Sequence, residues 1–314
     1  MNNIFQAALS GKKVEKPIQS FLFDEVDVPA STWDETATKR MLDELFTLTS
    51  QYKSSKSYFK MLEFVTNFRK YSLFNAMLVH IQMPGAVFVA PPLRWLRDYR
   101  RIIISGARPL IIPQPMGPAM FVFDVSETEG DPLPPEIEKP FEVRSGEIKG
   151  QLEKTIENSQ RDGIIIKRVN YGSQQAACIR SIVNPCHTIE FDKSKVIIRY
   201  ELELDENATK ESRYASLVHE LAHLYCGHLG TPYPNWWPDC RGMKHDVVEF
   251  EAESVAYLVC MRLGIDNPSE AYLSGYVNNN EQVPSISLEC VMKAASLIEN
   301  MWRKTLKARK IDKD

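Results

Sequence analysis

The hydrophobic positions of the chain first follow a helical spacing and then change to short apolar runs. Residues 33–52 and 56–82 carry apolar side chains at intervals of three and four, and the second stretch stops before Pro84. Four short apolar runs follow, separated by Pro and Gly, at 86–90, 101–105, 108–113 and 119–125. This order predicts two core helices followed by a small sheet, which is an α+β arrangement.

A segment rich in proline and acidic residues, 129–142, interrupts this pattern and predicts an exposed connection. We therefore predict an N-terminal α+β domain at 1–130, a linker at 131–145 and a second domain at 146–314. Beyond the linker the pattern predicts a helix at 146–160, strands at 163–169, 176–182, 187–191 and 195–203, and helices at 208–227, 246–263 and 286–308.

Composition places the chain among soluble globular proteins. Its 314 residues are 44% hydrophobic and 25% charged, and the length favours two domains. No apolar run reaches the roughly 18 to 20 residues of a membrane span, and the N-terminus lacks the charged-then-apolar order of a secretory signal. We therefore expect a cytoplasmic protein that does not enter a membrane. Six scattered cysteines without a CxxC pair predict reduced thiols rather than a disulfide framework.

The net charge of −3 hides an uneven distribution of charged residues. Residues 51–110 hold ten basic residues against Glu63 and Asp98, a balance of +8, whereas residues 121–160 have a balance of −6. Aromatic and basic residues alternate within the basic block, which is typical of surfaces that contact phosphates and stack on bases. The candidate nucleic-acid-binding residues are Arg94, Trp95, Arg97, Tyr99, Arg100, Arg101 and Arg108. The competing interpretation is a solvated basic face whose Trp95 belongs to the core.

The pattern His219-Glu220-Leu221-Ala222-His223 carries the clearest chemistry in the chain. On a helix, His219 and His223 project from one face and can offer imidazole nitrogens to a single Zn²⁺. Glu220 then lies beside the open coordination position, where it can act as a catalytic base. The alternative is a helix that holds two histidines by chance, and the presence of a third ligand decides against it.

Residues 249–260 supply candidates for that third ligand. Glu249 and Glu253 are four residues apart and share a helical face, and burying carboxylates in an apolar helix is costly unless they are paired or bound to metal. We predict Glu249 as the third zinc ligand and Glu253 as a hydrogen-bond partner of a ligand histidine. Glu251, about 200° away round the helix, is expected to face solvent or another partner. His228 is not expected to bind the metal.

These residues resemble the ImmA/IrrE family of metallo-endopeptidases. The resemblance covers residues from about 160 to 303 through VHELAHLYCGH and EFEAESVAYLV. It implies a reduced, gluzincin-type zincin domain in which His219, His223 and Glu249 bind zinc and Glu220 is the catalytic base. One position departs from the family pattern, because Glu253 stands where the family usually has Asn after Glu-x-x-Ala.

Residues from about 56 to 130 resemble the N-terminal single-stranded-DNA-binding domain of ArdC-type antirestriction proteins. The resemblance is carried by YSLFNAMLVHIQMP, WLRDYRR, RPLIIPQP and FVFDVSET, in that order. It implies binding of single-stranded DNA by the N-terminal domain.

Together these features predict a zinc-dependent endopeptidase that a basic N-terminal domain directs to a DNA-associated or regulatory protein. Two alternatives stay open. One is an antirestriction or DNA-binding protein with a structural zinc site and no turnover, against which Glu220 argues, since a structural site needs no base. The other is a protease that cleaves a helix-turn-helix repressor without binding DNA.

Overall fold

Helices and short strands occur in both halves of the chain. The computed structural model describes residues 52–114, 117–133, 148–170, 177–265, 267–279 and 282–309. The mixture of helix and strand confirms the α+β class, and the zincin-like arrangement stays a prediction. The predicted helix at 33–52, apart from Tyr52, and residues 134–145 of the predicted linker lie outside this description, and the division into two domains also stays a prediction.

The N-terminal part contains a helical pair, a third short helix and five short strands among its described residues. The helices are α1 (Ser55–Asn67), α2 (Leu73–Gln82) and α3 (Pro92–Tyr99), and the strands are β1 (Val89–Ala90), β2 (Arg101–Ile103), β3 (Leu110–Gln114), β4 (Gly117–Asp124) and β5 (Thr128–Gly130). Strand β4 lies between β1 and β3 in an antiparallel sheet, and β2 pairs with β5.

The prediction of one helix over 56–82 is wrong, because two helices occupy this stretch. Helix α1 ends at its C-cap Phe68, and α2 begins after Ser72, whose hydroxyl accepts a hydrogen bond from the Asn75 amide. A serine at the N-cap supplies an acceptor for an otherwise unpaired amide of the first turn, which stabilises a new helix that begins at this position. The apolar spacing continues across the break, which is why the sequence pattern does not reveal it.

The C-terminal part contributes the following elements: α4 (Gln151–Ser159), β6 (Ile164–Val169), β7 (Ala177–Ser181), β8 (Thr188–Phe191), β9 (Ser194–Ile197), β10 (Tyr200–Asp205), α5 (Lys210–Tyr225), α6 (His245–Leu263), α7 (Pro268–Asn279) and α8 (Leu288–Arg303). The predicted helices correspond to α4, α5, α6 and α8, with ends that differ by at most five residues, and α7 was not predicted. No helix of the described residues combines the length and apolar composition needed to cross a membrane.

The C-terminal sheet is small and has β10 at its centre. Strand β10 runs parallel to β6 and antiparallel to β7, so β7 lies at one edge, while β8 and β9 form a separate hairpin. The predicted strand at 195–203 is therefore two strands. The chain leaves the hairpin at Ile198 and Arg199, whose amides donate to the carbonyls of His187 and Gly163. These bonds redirect the chain although its apolar character is continuous.

One hydrophobic core joins the N-terminal helices to the C-terminal helices. Met61 and Met77, from α1 and α2, are fully buried in the same cluster as Val255 on α6 and Ile298 on α8. The buried Arg262 of α6 strengthens this contact, because its guanidinium reaches the chain between α1 and α2. The arrangement holds α6, and with it the candidate site, from both sides.

Candidate metal centre

Helix α5 presents both histidines of the HExxH pattern on one face. The helix begins where the Thr209 hydroxyl accepts a hydrogen bond from the Ser212 amide. Leu217 and Leu221 are fully buried, so the apolar face of α5 fixes its rotation against the core. His219 therefore points with its i+4 partner toward α6, the neighbouring helix.

The ligand atoms of His219, His223 and Glu249 converge as a tetrahedral zinc site requires. The two Nε2 atoms are 3.1 Å apart, and each lies 3.6 Å from one carboxylate oxygen of Glu249. Zinc at about 2.0 to 2.1 Å from three such atoms would hold them about 3.3 Å apart in a tetrahedron. The three side chains thus fit a His₂Glu metal site with a fourth position left for water or substrate.

The charges around the two histidines favour a cation. Burial lowers the pKa of His219, but the adjacent carboxylate of Glu249 and the negative charges of Glu253 and Glu220 outweigh burial, so that this pKa is raised. Burial, followed by the neighbouring His219, lowers the pKa of His223, which keeps this imidazole in the neutral form that binds metal. Because Glu253 and Glu220 add to the negative charge, a divalent ion would meet an attractive potential here.

Glu220 is oriented by the edge of the C-terminal sheet. Its Oε2 accepts a hydrogen bond of 2.9 Å from the backbone amide of Ile179 on β7. Burial raises the pKa of Glu220, and the charge of His219 and the Ile179 amide partly offset this effect. A carboxylate with a raised pKa and a fixed orientation is suited to accept a proton and to return it.

Glu253 and His245 lie close to the predicted metal ligands. Glu253 Oε1 is 3.6 Å from His219 Nδ1, beyond hydrogen-bond distance, and its predicted role as a partner of a ligand histidine stays a prediction. His245 lies at the start of α6 with an exposed side chain, and its Nδ1 is 3.6 Å from Glu249.

The structure adds a pair that the sequence did not predict. Glu251 is 1% exposed, so of the two predicted alternatives, solvent or another partner, the partner is confirmed. Its Oε2 lies 3.0 Å from His228 Nε2, and the Nδ1 of His228 lies 3.0 Å from the Nδ1 of His223. His228 is thus next to a predicted ligand without belonging to the ligand set. If His223 binds metal through Nε2, its Nδ1–H donates to His228, and the Nε2–H of His228 donates to Glu251.

A cleft of about 310 Å³ opens beside these side chains. Its walls combine apolar and polar side chains, and they include Leu229, Met243, Val248, Ile179, Glu220, His223 and Glu249. The cleft gives a reacting bond access to Glu220 and to the metal position. Apolar walls with a few convergent polar groups are typical of substrate-binding sites.

Trp95 does not form the predicted stacking surface. It is fully buried, packs edge-to-face on Phe88 and donates from Nε1 to the Phe123 carbonyl at 2.9 Å. The interpretation of Trp95 as a core residue is therefore confirmed, because no face of its ring is open to a base. Tyr99 is half-buried and packs against both Trp95 and Phe88.

The predicted arginines differ in how far they are free to meet phosphates. Arg97, Arg100 and Arg108 are exposed. Arg94 is half-buried and lies 3.4 Å from Asp98, which also pairs with Arg97. Arg101 is bound within the N-terminal part of the chain, as its guanidinium donates to the hydroxyl and carbonyl of Thr128 and to the carbonyls of Gly130 and Asp131. Three exposed arginines thus carry the candidate nucleic-acid interface.

Comparisons with known proteins do not extend this picture. Neither protein-family models, nor curated proteins, nor solved structures gave a match to the chain. The evidence for a metal centre is therefore the geometry of the side chains of His219, His223, Glu249 and Glu220.

Proposed function

We propose that this protein is a zinc-dependent endopeptidase. The observation that supports the proposal is the placement of Glu220 beside a His₂Glu ligand set on the wall of an open cleft. Three protein ligands with an open fourth position are typical of catalytic zinc sites, whereas structural sites close the fourth position with a further side chain.

Different residues bind the metal, transfer the proton and orient the base during peptide-bond hydrolysis. His219, His223 and Glu249 would hold the zinc ion, which when bound supplies Lewis acidity toward the scissile carbonyl and toward water. Glu220 takes the proton of the attacking water molecule and gives it to the leaving amine, so that one side chain serves first as base and then as acid. The amide of Ile179 keeps the Glu220 carboxylate aimed at the cleft during both transfers.

The histidine–glutamate pair next to the site orients a ligand. The Glu251 carboxylate fixes the ring of His228, and His228 in turn fixes the Nδ1 side of His223. This leaves Nε2 of His223 as the atom that faces Glu249. Such outer partners hold a ligand imidazole in one tautomer and one orientation.

We further propose that the N-terminal arginines direct the peptidase to protein bound on nucleic acid, with single-stranded DNA as the expected ligand. Arg97, Arg100 and Arg108 support charge-based contact with phosphates. Burial of Trp95 removes base stacking by that side chain from the proposal. The candidate substrate is a DNA-associated or regulatory protein, such as a helix-turn-helix repressor.

This function is tested by incubating the proteins that co-purify with DNA from the source cell with the parent protein or with Glu220→Gln. The zinc content of both preparations is measured first. We expect new N-termini with the parent only, because the variant keeps the ligands and loses the base. Glu211→Gln, on the same helix but in its first turn, is the matched control and should cleave like the parent.

The same comparison separates the alternatives. An antirestriction protein with a structural metal site would hold zinc and give identical protein patterns with parent and Glu220→Gln. A repressor-cleaving protease without DNA binding would show Glu220-dependent cleavage and no salt-dependent binding to an oligonucleotide.

A further inference from the structure

A second group of side chains of the kinds that bind metals lies near the predicted peptidase site. The ligand atoms of Cys226, Cys290 and Glu251 all lie within 4.8 Å of one another. The three residues are 0%, 8% and 1% exposed, so they form a cluster inside the protein, here called the thiol cluster. None of them belongs to the His219–His223–Glu249 set.

Three separate helices bring the thiol cluster together. Cys226 caps the C-terminus of α5, Glu251 lies on α6, and Cys290 lies in the first turn of α8. Ser287 connects two of these positions, since its amide donates to Glu251 Oε1 at 2.7 Å and its hydroxyl accepts from the Cys290 amide. The Cys290 thiol in turn donates to the Cys226 carbonyl at 3.6 Å.

A third thiol adjoins this group. Gly227 has φ +82°, and a Cβ at this position would meet the Pro238 carbonyl oxygen at 2.1 Å, so only glycine permits the approach of the loop. The Cys240 amide closes the contact by donating to the Gly227 carbonyl. This bond brings the backbone of Cys240 next to Cys226, the neighbour of Gly227 in the thiol cluster.

Glu251 has room for a metal ion in addition to its present partners. It accepts from the Ser287 amide and from His228, one at each oxygen. An ionised carboxylate offers about four acceptor positions, so two are left over. In a tetrahedral zinc site with Zn–S of about 2.3 Å, two sulfur ligands are about 3.8 Å apart, so atoms that lie within 4.8 Å of one another need to approach by at most about 1 Å.

We propose that Cys226, Cys290 and Glu251 form a second metal site that takes a thiophilic divalent cation of the Zn²⁺ type, with Cys240 as the adjacent fourth ligand. Two or three thiolates select zinc-like ions over magnesium and calcium, which prefer oxygen. Four protein ligands close the site, so its role is structural. The ion would tie the end of α5 to α6 and α8 near the catalytic histidines.

Cobalt substitution of the full chain tests the proposal without any assay of cleavage. The protein is purified under reductant, stripped with a chelator and titrated with Co²⁺. We expect two metal ions per chain and the strong near-ultraviolet charge-transfer band of a cobalt–thiolate bond, which a His₂Glu site cannot produce. One ion per chain without this band would overturn the proposal, whether the thiols are then free or oxidised.

Variants assign the two ions. Cys226→Ala with Cys290→Ala should lose one ion and the thiolate band, while His219→Ala should lose one ion and keep the band. Cys260→Ala is the matched control, because Cys260 is also a fully buried thiol but lies outside the cluster. Loss of the band in Cys260→Ala, or its survival in the double variant, would contradict the assignment. Since the readout is metal content and absorbance, absence of peptidase activity would leave this result untouched.

Discussion

Arg262 offers the sharpest test of how the two parts of the chain hold each other. It is 3% exposed and uses its whole guanidinium. Nε donates to Glu299 at 2.8 Å, and the two terminal nitrogens donate to four backbone carbonyls around the end of α1. Those carbonyls belong to Val65, Phe68, Arg69 and Tyr71, at 2.9, 3.1, 3.3 and 2.7 Å.

Replacing Arg262 with Met removes all five hydrogen bonds and keeps most of the buried volume. Breaking a buried ion pair from one side costs about 3 to 5 kcal/mol, because the remaining charge stays buried. Glu299 keeps a second partner, Arg303, at 2.8 Å, but the α1 carbonyls lose theirs. We therefore expect Arg262→Met to lower the free energy of unfolding by about 3 to 5 kcal/mol.

Urea unfolding of the full chain, followed by circular dichroism, measures this loss. Arg303→Met is the matched control, since Arg303 is partly exposed and pairs with the same carboxylate, and it should cost about 1 kcal/mol or less. Adding Glu299→Leu to Arg262→Met should restore part of the loss, because it removes a buried carboxylate that has lost its buried partner. A cost below about 1 kcal/mol for Arg262→Met would refute this account of the network.

Three further predictions concern the metal, the basic block and pH. Glu249→Ala should lose stoichiometric zinc by mass spectrometry and Glu253→Ala should keep it; the reverse result would exchange their roles. The exposed arginines Arg97, Arg100 and Arg108 should each add about 0.7 to the log-log slope of single-stranded oligonucleotide affinity against salt. Replacing all three with Gln should therefore flatten this slope by about two units, and an unchanged slope would show that they do not contact phosphates. Burial lowers the pKa of His80 to about 4. As the pH falls from about 6.5 to about 4, His80 is therefore protonated in the unfolded chain but not in the folded one, and the free energy of unfolding decreases. Between pH 7 and pH 5, the free energy of unfolding measured in urea should therefore fall by about 1 to 2 kcal/mol less in His80→Phe than in the parent. Equal decreases would contradict a lowered pKa for His80.

The spacing of residues predicted the candidate site well because it depends on local geometry. Two histidines four apart on an apolar helix share a face whatever the fold, and Glu249 opens the next amphipathic pattern. In the structure, the candidate ligand atoms of His219, His223 and Glu249 accordingly lie within 4.8 Å of one another. Glu220 follows from the same helix, but its contact with the Ile179 amide depends on where β7 lies.

The features that escaped prediction depend on partners distant in sequence. Helix α6 is buried around most of its circumference, so its periodicity does not say which carboxylate faces solvent, and Glu251 is buried because His228 and Ser287 meet it there. Helix α3 has Leu93 and Leu96 exposed and Trp95 inside, and only the positions of Phe88 and Leu133 decide this choice. Helical spacing alone permits either face.

The most direct test of the central claim is digestion of a proteome-derived peptide library by parent protein and by Glu220→Gln loaded with equal zinc, with the products identified by mass spectrometry. We expect a defined set of cleavages for the parent, their loss on chelation and return with zinc, and none for Glu220→Gln. Equal cleavage by the two proteins, or none by a parent protein with full zinc occupancy, would contradict the central claim.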